Sequence, residues 1–212
     1  LLMKSYQFFN KISSEKKDDI INFFSEIALK VCEGQQMDMD FETKNDVTIN
    51  DYLLMIEFKT AILFAASLKV AAILSGATNN DIDSLYNFGL NIGIAFQLRD
   101  DYLDTFGESD SFGKIIGSDI KSKKKTVLFI NAMQKSSEED RIFLEKTYSK
   151  KSIVNNEDVQ LVTQIFKKYG VDEYCSQLSQ SYYELASSNI KKVSVPYDKL
   201  KNYSELLFKR KN

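Results

Sequence analysis

Three aspartates and a glutamine crowd the run Phe96-Gln97-Leu98-Arg99-Asp100-Asp101-Tyr102-Leu103-Asp104. On a helix turning about 100° per residue, with Asp100 at zero, Asp104 falls near 40°, Gln97 near 60° and Asp101 near 100°. The four polar groups share one arc, and Asp100 and Asp104 are separated by about 6 Å of axial rise. Like charges four apart on a helix cost roughly 0.2–0.5 kcal/mol, and more when they face a cavity, unless a cation neutralises them. Carboxylates without histidine or cysteine beside them favour a hard, oxygen-loving ion. Mg²⁺ fits when phosphates supply the remaining oxygens. A second pair, Asp18-Asp19, lacks a third aspartate and reads as part of a charged surface turn.

Composition narrows the chemistry further. Histidine is absent, which removes Ser/His/Asp and Cys/His nucleophile systems, zincin sites and facial-triad iron. The chain carries 28 Lys and Arg against 30 Asp and Glu, a net charge of −2, which gives no reason to expect nucleic acid or an anionic membrane as partner. Cys32 and Cys175 stand far apart without CxxC spacing, so the sequence predicts two buried free thiols in a reducing cytoplasm. The longest apolar stretch, Ala61 to Leu74, is broken by Lys69 and is too short to span a membrane.

The elements that must position the aspartates read as helices throughout. Eight glycines and one proline in 212 residues are too few for the tight turns of a sandwich, barrel or propeller. Fifteen Phe and eleven Tyr exclude disorder. Ile20, Phe23, Phe24, Ile27, Ala28 and Val31 mark an amphipathic helix from Glu15 to Asp40. Thr48 with Asp51 resembles a capping box opening a helix that runs to Leu74, where Gly76 closes it from the left-handed conformation. Its stretch from Ala61 onward is apolar nearly all round, as in a helix buried at the centre of a bundle. Asn79 or Asn80 caps the next helix, which carries the aspartates and stops at Gly107. On it Gly89 and Gly93, four apart, could admit a neighbouring helix closely. After a turn-rich loop to Asp119, helices read at Lys123–Gln134, Ser137–Tyr148, Glu157–Tyr169, Asp172–Lys192 and Tyr197–Phe208. The expectation is one all-α domain over residues 1–212. Leu1–Phe9 already reads as mid-helix, so the chain looks like a piece whose beginning lies upstream.

Around the aspartates stands an ordered set of further motifs. Downstream come Gly113-Lys114, Gly117, Asp119 and Lys123-Lys124-Lys125-Thr126; upstream come Gly34-Gln35-Gln36-Met37-Asp38 and Phe58-Lys59-Thr60-Ala61. This set strongly resembles the trans-isoprenyl diphosphate synthases, the polyprenyl synthetase family, with Phe96–Thr126 similar to its second aspartate-rich region. The resemblance implies a single-domain helical bundle of the isoprenoid synthase type, lacking its N-terminal helices. It also implies a prenyltransferase joining isopentenyl diphosphate to an allylic diphosphate by Mg²⁺-assisted ionisation. Asp100 then resembles the direct Mg²⁺ ligand, with Asp101 and Asp104 holding the ion mainly through its waters. Lys59, Lys114 and Lys124 resemble the lysines that grip the allylic diphosphate. Thr60 and Gln97 resemble residues whose oxygens face the forming carbocation. Gln35 and Asp38 resemble a pair lining the site from another helix, and Phe96 a residue lying against the isoprenoid chain. Arg210 and Lys211 resemble a basic tail that approaches isopentenyl diphosphate. A cytoplasmic homodimer without a transmembrane segment is the implied setting.

Structural readings stand beside these. Lys59 could snorkel to solvent, Lys121–Lys125 could form a solvated patch with only Lys124 in the site, Asp119 could cap the next turn and Gln35 could satisfy a buried backbone group. The phenylalanines and tyrosines are core by default. The family's first aspartate-rich motif, with its paired arginines, is absent and would precede Leu1, so the chain as given is expected to be incomplete for catalysis. Ser118 replaces a glycine common in the family. Two rival readings are a non-catalytic regulatory subunit of a heteromeric prenyl synthase and a class I terpene cyclase; the intact Lys59, Lys114 and aspartates weigh against the first, and a DDYLD segment in place of an Asn/Ser/Glu motif weighs against the second.

Overall fold

The computed structural model describes residues 2–12, 15–44, 46–107, 116–149 and 152–209. Among these residues the regular structure is entirely helical. In chain order the α-helices are α1 (Leu2–Phe9), α2 (Lys17–Phe41), α3 (Ile49–Ile56), α4 (Ile62–Leu74), α5 (Asn79–Phe106), α6 (Ser118–Lys121), α7 (Val127–Lys135), α8 (Glu138–Ser149), α9 (Asn156–Lys168), α10 (Val171–Ile190) and α11 (Asp198–Lys209). The long α5 is the axis of the molecule, flanked along its length by α10 and α4. A core of Leu98, Ile120, Leu128, Leu144, Val162 and Phe166, all almost fully buried, ties its C-terminal half to the helices that follow.

The capping box at Thr48 and Asp51 forms as the sequence predicts, and Gly76 turns the chain at φ 73°. The helix that starts there is not continuous, however. Glu57–Ala61 form one π-helical turn between α3 and α4. This inserts a residue into the helical period and re-aims Lys59 and Thr60, and π turns of this kind recur at functional sites. No glycine or proline marks the insertion in the sequence. Nor is α4 buried all round: Leu63 and Leu74 stand 44% and 45% exposed. The cap of α5 is Thr78, whose hydroxyl accepts from the Asp81 backbone N–H, not Asn79 or Asn80. The helix expected from Lys123 starts only at Val127, because Ser118–Lys121 form their own short turn and Lys123 adopts a positive φ of 59°. Cys175 is buried, its thiol donating to the Leu98 carbonyl at 3.4 Å. Cys32 lies on an outward face of α2 and is exposed, against expectation.

Two glycine contacts set the distances that matter for the site. A Cβ on Gly93 would lie 2.5 Å from the Ala61 Cα, so α5 meets the π turn backbone to backbone. A Cβ on Gly34 would lie 2.5 Å from the Lys59 backbone nitrogen, so α2 crosses the same turn equally closely. The π turn is thereby held between α2 and α5.

Asp81 fastens the N-terminus of α5 to the segment after α10. Its carboxylate accepts from the Ser194 backbone N–H and hydroxyl, both at 2.7 Å, and from the Thr78 hydroxyl at 2.8 Å. Ser194 above all, then Thr78, holds the Asp81 pKa below the usual carboxylate range. Since the folded value lies below the unfolded one, the stabilisation is present above the unfolded pKa of about 3.9 and vanishes as pH falls through the folded value. Asp81→Asn should therefore lower the urea midpoint at about pH 6 and lower it less at about pH 2, as protonation of the wild-type carboxyl removes its advantage. Paired urea titrations at the two pH values check this; an equal deficit at both would contradict it.

Candidate active site

A cavity of about 360 Å³ opens where α2, α3, the π turn, α5 and the segment after α6 converge. Asp38 reaches it from α2, Tyr52 from α3, Lys59 and Thr60 from the π turn, Gln97, Asp100 and Asp101 from α5, and Lys124 from the segment after α6. Residues far apart in sequence thus form one wall.

Lys59 Nζ pairs with Asp38 Oδ2 at 2.5 Å, both side chains half-buried. This contact follows from the Gly34 crossing, since Asp38 lies one turn beyond Gly34 on α2. The Thr60 hydroxyl donates to Gln97 Oε1 at 3.3 Å, and Gln97 Nε2 donates to Asp101 Oδ1 at 3.1 Å. The Tyr52 hydroxyl donates to Asp101 Oδ2. Asp101 is only 2% exposed, and burial pushes its carboxyl up to about 7 despite the opposing Tyr52 hydrogen bond. The Tyr52 hydroxyl is held well above its ordinary pKa, first by burial and then by the Asp101 charge.

Asp104 lies beyond the cavity wall, at the corner between α5 and α6. It accepts from the Ser118 hydroxyl and, at 2.8 Å, from the Asp119 backbone N–H. Asp119 does not cap α6; Gly117, at φ 76°, occupies that position. Instead the Asp119 carboxylate pairs with Lys124 at 3.0 Å. Burial raises the Asp119 pKa, the neighbouring Asp104 raises it further, and Lys124 opposes both. Burial alone would depress Lys124, but the Asp119 carboxylate leaves it raised and so firmly cationic.

Other predicted residues fall elsewhere. Gln35 is exposed on α2 and does not line the cavity. Phe96 packs on Phe64 of α4, ring centroids 5.8 Å apart, and does not line this cavity. Lys114, Arg210 and Lys211 lie outside the described residues.

Sequence reasoning missed Tyr52 and Lys125. Tyr52, Ile56 and Thr60 recur at four-residue steps and all line the cavity, a periodicity that could have found the tyrosine. Lys125 Nζ donates to the Lys44 carbonyl at 2.5 Å and so pins the α2–α3 connection beside the cavity mouth. Nothing in the lysine run distinguishes that task.

The donor set is all oxygen around the aspartates. Among the described residues no three acidic, cysteine or histidine side chains close into a metal cage. Oxygen donors of this kind suit Mg²⁺, which keeps several waters and takes one or two carboxylates together with substrate phosphates. Asp100 on the cavity wall fits this demand, whereas Asp104, one turn further, has both oxygens engaged by Ser118 and the Asp119 N–H and would reach an ion only through water.

The family model described as polyprenyl synthetase matches residues 1–168. The chain belongs to the polyprenyl synthetase family. This polyprenyl synthetase chain is 37% identical over 180 residues to a short chain isoprenyl diphosphate synthase of Methanothermobacter thermautotrophicus, covering 84% of this chain and 54% of the relative. A crystal structure of a geranylgeranyl pyrophosphate synthase superposes with a TM-score of 0.90 at 33% identity, covering 99% of this chain and 66% of that one. A geranylgeranyl pyrophosphate synthase from Corynebacterium glutamicum, in complex with isoprenyl diphosphate and magnesium, matches with a TM-score of 0.85 at 28% identity, over 93% of this chain and 57% of that one. The polyprenyl synthetase chain spans about half the length of the curated relatives it matches.

Proposed function

We propose that the protein containing this chain is a prenyltransferase that condenses isopentenyl diphosphate with an allylic diphosphate. The observation that carries this reading is the composition of one wall: Lys59 and Lys124 as fixed cations, Asp100 as a carboxylate, and Thr60 and Gln97 as neighbouring oxygens 3.3 Å apart. Bound Mg²⁺ would neutralise the diphosphate and lower the barrier to its departure. Asp100 would hold the ion, with Asp104 acting through water. Lys59 and Lys124 bind the allylic diphosphate and stabilise the charge it gains, and Lys114 belongs to the same group. Asp38 orients Lys59.

The allylic C1–O bond breaks with its electron pair leaving on diphosphate. Thr60 and Gln97 present oxygens to the resulting cation, the isopentenyl double bond attacks C1, and a proton passes from isopentenyl C2 to the released diphosphate. No strong protein base is required, in keeping with a chain that has no histidine. Gln35 and Phe96 would contribute only through parts of the site outside this cavity.

A homodimer belongs to the same reading, supported by Phe8 and Leu29, 67% and 65% exposed on α1 and α2. A cytoplasmic setting is supported by the two free cysteines. Among the described residues no helix is long and apolar enough to cross a membrane.

The test is incubation of the full-length polypeptide with radiolabelled isopentenyl diphosphate and each of dimethylallyl, geranyl and farnesyl diphosphate. Label should pass into a longer prenyl diphosphate with Mg²⁺ present and not with excess chelator. Absence of transfer to every primer by a folded preparation would overturn the reading.

A further inference from the structure

Asp101 sits inside the wall of the cavity. Both of its carboxylate oxygens are engaged by protein donors, Oδ2 by the Tyr52 hydroxyl and Oδ1 by Gln97 Nε2, and the side chains of Asp101 and Tyr52 are 2% and 3% exposed. Oδ1 accepts from Gln97 Nε2 and so holds the NH₂ end of the glutamine amide. With the NH₂ end held by Asp101, the carbonyl end of Gln97 must point the other way. Its Oε1 accordingly faces the Thr60 hydroxyl, which donates to it at 3.3 Å. The sequence Tyr52–Asp101–Gln97–Thr60 is therefore a directed chain of hydrogen bonds running from α3 through α5 to the π turn. Each link fixes the polarity of the next.

We propose that Tyr52 and Asp101 are positioning residues that lock the Gln97 amide with its oxygen toward the cavity, and that Asp101 is not a ligand of the Mg²⁺ ion. The inference rests on the prenyltransferase reading. Reversing the amide would place an NH₂ group, the positive end of the dipole, where a carbocation is to form. Such an oriented dipole costs no reorganisation as charge develops and is worth most in a site shielded from water. Both aspartates line the cavity, but Asp101, about 100° around the axis from Asp100, is held at both oxygens by Tyr52 and Gln97.

The experiment compares wild type, Asp101→Asn, Asp100→Asn and the double variant Asp101→Asn/Gln97→Glu in the full-length protein. In Asp101→Asn, the new amide oxygen can serve Tyr52 only by turning its NH₂ toward Gln97, which reverses the Gln97 amide. The expected result is a fall in kcat of about 10²-fold, with KM for both substrates nearly unchanged. Calorimetric binding of Mg²⁺ with inorganic pyrophosphate should stay within about threefold of wild type, whereas Asp100→Asn should weaken it more than about tenfold. The double variant should recover about tenfold of the lost kcat. Its carboxylate at position 97 accepts from the amide at position 101 through one oxygen and again presents an oxygen to the cavity. A role that is merely structural, or a metal ligand, would not be rescued this way. If Asp101→Asn does not fold, Tyr52→Phe takes its place, with an expected three- to tenfold loss of kcat, roughly, and unchanged pyrophosphate binding. Unaltered kcat, or loss of pyrophosphate binding equal to that of Asp100→Asn, overturns the assignment. Failure of the wild type to turn over any primer would instead overturn the prenyltransferase reading itself.

Discussion

Asp100→Asn should lower condensation of isopentenyl and allylic diphosphates by about 10³-fold while leaving the helical circular dichroism unchanged. Asparagine keeps the size of the side chain and loses its charge. Asp100 lines the cavity together with Gln97 and Lys124. Without its carboxylate, a divalent ion would lose its anchor and the diphosphate would depart less readily. The fold should survive, since Asp100 is half-buried and does not belong to the core built around Leu98 and Phe166. Steady-state assays over a range of Mg²⁺ concentrations, alongside far-ultraviolet dichroism, check the result. Turnover at the wild-type rate would remove Asp100 from the reaction.

Gly93→Ala should damage both stability and activity although it lies outside the cavity. The added methyl would meet the Ala61 Cα at 2.5 Å, and that atom is backbone which no side-chain rotation can move aside. The helices must separate, at about 1–3 kcal/mol for an overpacked contact of this kind. Thr60 precedes Ala61, so the π turn would carry the Thr60 hydroxyl away from Gln97 and Lys59 away from Asp38. Misplacement of about 1 Å is enough to reduce a rate by about 10²-fold. Urea unfolding and kcat measured on one preparation should both fall. A destabilised variant with full activity would show that the π turn does not position the reacting groups.

The helices were legible because their signals are local. The Thr48/Asp51 capping box, the Gly76 turn and the apolar period of α2 each act within a few residues, and each forms where the sequence places it. The π turn at Glu57–Ala61 was not legible, since it arises from α2 and α5 closing on either side through Gly34 and Gly93, contacts made across the fold. The same limit governs the site. The helical wheel puts Asp100, Asp101 and Asp104 on one arc, but only the positions of Tyr52 and Ser118 show that Asp101 is held by the Tyr52 hydroxyl and that Asp104 takes hydrogen bonds at the α5–α6 corner. Likewise the lysine run gives its members similar surroundings in sequence. In the fold, Lys124 pairs with Asp119 while Lys125 is drawn to main-chain carbonyls, so neighbouring lysines have different tasks.

The central claim is that Lys59 and Lys124 together bind a diphosphate whose charge magnesium shares. Residue-resolved amine labelling of the full-length protein, read by mass spectrometry, tests it most directly. With Mg²⁺ and inorganic pyrophosphate both present, labelling of Lys59 and Lys124 should slow by about tenfold or more, while the exposed Lys168 and Lys209 label at unchanged rates. Labelling of Lys59 and Lys124 that proceeds as fast with the two additions as without them would contradict the account.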